Sequence, residues 1–156
     1  MTINDTLAFI RSLLRRVFGI ARPSLTPLEN FVADAVIAAL PRSDADVFRT
    51  QLRRLDLIQR SPGGRITAMF LERPEGLPVL SRLEPEHCLA DLVLHAGGHE
   101  LRSVVFSHRG YISSIEFRRN PRSAGSPLSL KALKLHCDAD SMAAIVDRAE
   151  HGAHHG

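Results

Sequence analysis

The chain has no tryptophan and a single tyrosine, Tyr111, so it is short of the aromatic anchors that dominate many tight interfaces. Its two cysteines, Cys88 and Cys137, stand 49 positions apart, which makes no disulfide framework in 156 residues. Reduced thiols and a cytoplasmic location are the expectation. Long apolar runs are also missing. The N-terminal one is broken by Arg11, Arg15 and Arg16. Arg15-Arg16-Val17-Phe18 has a slight look of a twin-arginine signal, but Ala21-Arg22-Pro23-Ser24 follows where an apolar stretch is needed. No targeting segment and no membrane partner are read.

Motifs that carry chemistry are absent too. Gly63-Gly64 is followed by Arg65, not by the Lys-Ser or Lys-Thr of a phosphate loop, and there is no G-x-G-x-x-G. No G-x-S-x-G elbow marks a nucleophile. Neither C-x-x-C nor H-E-x-x-H occurs. His87-Cys88 and His136-Cys137 are pairs of ligand type, but only the tertiary structure would bring them together. Asp44-Ala-Asp46 and Asp138-Ala-Asp140 each precede a helical stretch, where carboxylates cap free N–H groups, and no EF-hand pattern continues from either. The expectation is no catalytic residue, no cofactor and no metal.

What is present is an ordinary globular composition, 44% hydrophobic and 24% charged. It suits a single domain over 1–150, with a flexible His-rich tail at 151–156. Net charge is +3, and residues 1–65 hold ten basic and six acidic side chains. The basic character therefore sits in the N-terminal part.

Helices are expected at 5–19, 27–40, 44–58 and 141–150. Thr26-Pro27-Leu28-Glu29 is a capping box with proline at the first helical position. In 44–58, with Ser43 or Asp44 as cap, Val47, Phe48, Gln51, Leu52, Leu55 and Ile58 recur at helical spacing. From Arg65 the period changes to alternation. Strands are expected at 66–71, 79–83 (a short edge strand), 88–96, 101–107, 111–118 and, less plainly, 128–135. The fold class is α+β, with N-terminal helices and a C-terminal helix packed on one face of an antiparallel β-meander of about five strands.

A two-residue turn at Arg109-Gly110 pairs His108 with Tyr111 and sets a register. Extended without a bulge, that register puts Ala90, Leu92, Leu94, Val104, Phe106 and Ile115 on the core face. Asp91, Val93, His95, Ser103, Ser107, Ser114 and Glu116 then share the outer face. Matching faces across Gly97-Gly98-His99 calls for three or five loop residues.

Three functions compete. The outer face gathers Asp91, His95, Ser103, Ser114 and Glu116, a mixed surface suited to binding another protein. The same residue types serve a small hydrolase or a ligand site, although a flat strand offers no oxyanion donors. Residues 27–65 resemble a winged helix, in which Arg49, Arg53, Arg60 and Arg65 would meet phosphate. Asp44 and Asp46 at the start of the supposed recognition helix oppose that, as does a modest net charge. Self-pairing through the N-terminal helix is a further expectation.

His108-Arg-Gly-Tyr-Ile-Ser-Ser-Ile-Glu-Phe117 resembles a hairpin strand of small bacterial α+β proteins, some of them similar to immunity proteins that neutralise polymorphic toxins. The resemblance covers this stretch alone and carries no functional residue. It implies a non-catalytic binder whose partner is another protein.

Overall fold

The structure, a computed structural model, describes residues 24–136. The expected helices 5–19 and 141–150 and the tail 151–156 lie outside them. Two helices come first, α1 (Pro27–Ala39) and α2 (Arg42–Leu52). Six strands follow: β1 (Leu55–Arg60), β2 (Ile66–Leu71), β3 (His87–Ala96), β4 (His99–His108), β5 (Tyr111–Phe117) and β6 (Leu128–Leu135). They form one antiparallel sheet in the order β1-β2-β5-β4-β3-β6. Both helices lie on one face, where Val32, Val36 and Phe48 join Leu92, Leu94, Val105 and Ile115 in a single core. No helix among the described residues is long and apolar enough to cross a membrane.

The capping box forms as its residues require. Glu29 N donates to Thr26 Oγ1 (3.2 Å), and Thr26 N donates back to Glu29 Oε2 (2.7 Å). Glu29 does more than cap. It is buried, and it accepts from Thr67 Oγ1 on β2 (2.6 Å) and from Arg60 Nε and Nη2 on β1 (2.9 and 2.6 Å). One carboxylate thus ties the start of α1 to two strands. Burial alone would raise its pKa. The bonds from Arg60, Thr67 and Thr26 outweigh that and hold it at about 2.

The helix expected at 44–58 is replaced by two elements. α2 starts at Arg42, behind Pro41, and ends at Leu52; Leu55–Arg60 is a strand. Neither Ser43 nor Asp44 is its N-cap. Asp44 instead accepts from Ser81 N (3.0 Å) and Ser81 Oγ (2.6 Å). Leu52, Leu55 and Ile58 fit a helical period, but the Ser61–Arg65 turn folds the chain back and β2 offers its backbone. Pairing with β2 satisfies groups that a longer helix would have left open at the edge of the sheet. The sheet accordingly has six strands rather than about five.

Residues 79–83, expected as an edge strand, are a strap over the β4–β5 turn. Leu80 plugs the core, and Leu80 N donates to Gly110 O (2.9 Å). Beneath it, the buried Gln51 side chain donates to Pro78 O and Gly110 O and accepts from Ile112 N. Arg109 and Gly110 both have positive φ, as a two-residue turn of this hand requires. A Cβ at Gly110 would come within 2.9 Å of Val79 and Leu83, so the strap fits only over glycine.

Two corrections concern the faces. The β3–β4 turn has two residues, Gly97-Gly98, not three or five, and Leu92 pairs with Ser103. The β4–β5 ladder starts with His108 opposite Tyr111, as read, but shifts between Phe106 and Ser107. Ser113 is the extra residue of this bulge, and beyond it Val105, not Val104, faces Ile115. Ser103 and Ser107 are therefore in the core, at 1% and 0% exposure, while Val104 and Phe106 lie half-buried on the outer face.

Two stability predictions follow from these contacts. Glu29→Gln should lower unfolding free energy by about 2–3 kcal/mol, short of a fully buried pair because Arg60 is part-exposed. The depressed pKa gives stability that is full above pH 4.5 and lost as pH falls towards 2. Denaturant melts across that window should show an acid-dependent loss in the wild type that is diminished in Glu29→Gln. Ser103 Oγ is buried with no hydrogen-bond partner among the described residues. Removing an unpaired buried hydroxyl is neutral or favourable, so Ser103→Ala should leave the denaturation midpoint equal or higher, by up to about 1 kcal/mol in free energy.

Candidate functional site

The face turned away from the helices is built from register rows that cross the sheet. One row runs Ile66, Glu116, Val104, Asp91, Lys134. The next runs Gln59, Ala68, Ser114, Phe106, Cys88. Leu57 and Phe70 pair beyond them. The face is chemically mixed. Ile66 and Phe70 are 44% and 46% exposed, with Leu57, Ala68, Val104 and Phe106 half-buried around them. Glu116 sits between Ile66 and Val104 and accepts from Ser114 Oγ (3.2 Å).

Of the residues read as one surface, Asp91, Ser114 and Glu116 fall on these neighbouring rows. His95 is exposed on the same side, but it pairs with Glu100 and Ser129 at the other end of β3. It stands four residues beyond Asp91, about 13 Å along the strand. Ser103 is on the opposite face, in the core. The hydrolytic grouping of His95 with Asp91 and a serine is thus not brought together. Asp91 meets a different imidazole: its Oδ2 lies 2.9 Å from His136 Nε2 and 4.0 Å from Cys88 Sγ.

That juxtaposition was not legible in the residue pattern. It depends on β6 pairing with β3, which sets Leu135 opposite Ala90 and lets His136 N donate to Leu89 O (3.0 Å). It also depends on a bulge between Cys88 and Ala90. Residues three apart in a regular strand face opposite sides; one inserted residue puts Cys88 and Asp91 on the same side. The alternation of β6 was the signal that a second strand would flank β3. Burial, then the nearby Asp91 charge, push the Cys88 thiol up to about 11.

The arginines of the winged-helix reading are engaged within the chain. Arg60 holds Glu29, and its Nη2 also donates to Ser24 O (3.1 Å). Arg49 pairs with Asp46 (3.0 Å), and Arg65 Nε donates to Phe117 O (3.4 Å). The hairpin that would serve as a wing is two strands of the main sheet. Beside Arg60, a groove of about 690 Å³ is lined by Thr26, Pro27, Leu28, Phe117, Pro121 and Leu128 among others. Glu29 and Arg60 at its wall satisfy each other.

Comparison of the chain with protein-family models, with curated proteins and with solved structures yields no match.

Proposed function

We propose that the protein is a non-catalytic, cytoplasmic interaction module that binds another protein through the outer sheet face. The observation that carries this reading is the apolar surface left on that face. Ile66 and Phe70 on β2 are exposed and Leu57, Val104 and Phe106 part-exposed, with Glu116 and Ser114 set between β2 and β4. Apolar area facing water is costly at roughly 25 cal/mol per Å², and contiguous patches of it mark contact surfaces.

The dimensions suit such a role. Six strands span about 24 Å, and seven residues of strand about 23 Å, which in projection supplies much of the roughly 800 Å² one partner buries in a standard interface. The chemistry of the partner follows from Glu116. One carboxylate lies between Ile66 and Val104, so the complementary surface presents an arginine or lysine set among apolar side chains. The resemblance of 108–117 to immunity-type proteins agrees with a protein partner. The hydrolase alternative loses support because His95 and Asp91 stand apart. The nucleic-acid alternative loses support because Arg49, Arg60 and Arg65 have internal partners.

The test compares two altered proteins with the wild type for affinity towards a partner isolated with the native protein. Ile66→Ser with Phe70→Ser and Glu116→Gln alters only outer-face side chains, and it should weaken the partner at least about tenfold without lowering Tm appreciably. Arg49→Ala with Arg53→Ala, on the helical side, should leave binding unchanged. Equal binding by the face variant would overturn the reading. Salt-sensitive retention of duplex DNA, lost on replacing Arg49 and Arg53, would put the winged-helix reading in its place. Concentration-dependent sedimentation that disappears in the face variant would make the partner a second copy.

A further inference from the structure

Sulfur and oxygen donors of β3 meet a nitrogen donor from the end of β6 at one end of β3. One donor atom each of Cys88, Asp91 and His136 lies within 4.8 Å of the other two. Two ladders impose the arrangement: the bulge after Cys88 turns its thiol to the side of Asp91, and the β3–β6 pairing delivers His136. His136 is held at its backbone by Leu89 O. The three side chains are part-buried, at the margin of the outer face. This inference does not rest on the partner reading.

The geometry assigns Cys88, Asp91 and His136 as a binding site for a divalent transition-metal ion, with zinc as the fitting ion. Zinc takes thiolate at about 2.3 Å and imidazole nitrogen or carboxylate oxygen at about 2.0–2.2 Å in tetrahedral array. Those bond lengths place neighbouring donors roughly 3.3–3.6 Å apart. The Asp91–His136 separation of 2.9 Å and the Asp91–Cys88 separation of 4.0 Å depart from this by about 0.4 Å in opposite directions. Closing both gaps calls for side-chain rotation at these residues, with the donors of Cys88 and His136 drawn together from within 4.8 Å. The donor set itself selects the ion: magnesium and calcium take oxygen ligands, whereas mixed thiolate and imidazole suit zinc.

The electrostatics agree. A thiolate and a carboxylate balance the two positive charges of the ion, so Lys134, opposite Asp91 on β6, faces a neutral centre. A bound cation displaces the thiol proton, which leaves to solvent. Three protein ligands leave a fourth position for water or for an external ligand, as in zinc sites that are open rather than closed.

The test uses the full-length chain carrying His151→Ala, His154→Ala and His155→Ala, so that tail imidazoles do not compete. Zn²⁺ titration by calorimetry should give one saturable equivalent and raise Tm. Co²⁺ should give the absorption of a tetrahedral ion with a thiolate charge-transfer band. Cys88→Ser, Asp91→Asn and His136→Gln should each weaken Zn²⁺ at least about tenfold, the lower end of what even outer partners of a metal contribute. Circular dichroism and metal-free Tm of each variant check that it is folded. Absence of saturable binding, or binding that these three folded variants leave unchanged, would overturn the assignment.

Discussion

Side-chain parity along β3, β4 and β5 is the constraint from which most other features follow. A strand has a period of two, so each extra residue in a ladder exchanges what lies inside for what lies outside. Two such residues occur in the ladders that join these three strands. The one at Ser113 keeps Ile115 and Phe117 in the core while turning Val104 and Phe106 outward. The one at Leu89 places both Leu89 and Ala90 in the core and brings Cys88 round to Asp91. The half-apolar outer face and the Cys88–Asp91–His136 cluster are both products of these insertions. Bulges commonly re-aim side chains in this way.

Much of the architecture was legible because its signals are local. The capping box at Thr26 fixes the start of α1, and Pro41 follows its end. The change to alternation at Arg65 locates β2 at Ile66–Leu71, and the meander strands and Leu128–Leu135 stand where their patterns put them. β1 was hidden because Leu52, Leu55 and Ile58 satisfy a helical period equally well, and only the partner strand decides between the two. The 79–83 segment looks like a strand for the same reason that it packs well: Leu80 is apolar, and its burial comes from capping a turn rather than from joining a ladder.

The surface was harder to read than the elements. Asp91, Ser114 and Glu116 share a face in the sequence reading and in the structure because two differences cancel: the two-residue Gly97-Gly98 turn shifts β3 by one position against β4, and the bulge at Ser113 shifts β5 by one. Ser103 does not, because the bulge at Ser113 sets it opposite Phe117, on the core side. His136 was visible as a residue type but not as a neighbour of Asp91, since that proximity is created by pairing across 45 positions. From the sequence, Glu29 is only half of a capping box. Its bonds to Arg60 and Thr67 make it the place where the helical layer is pinned to the sheet.

The strand order carries a kinetic consequence. Ile66 pairs with Glu116 rather than with anything near it, so the β1–β2 hairpin reaches β5 only after about 50 intervening residues have been drawn into a closed loop. Closing that loop forfeits chain entropy before any ladder bond returns it. The hairpin of β4 and β5 is local by contrast and offers a natural nucleus, onto which the first hairpin docks late. Maturation of this molecule is therefore set by long-range sheet assembly, on the slower timescale of β-rich topologies, rather than by the speed at which its helices wind.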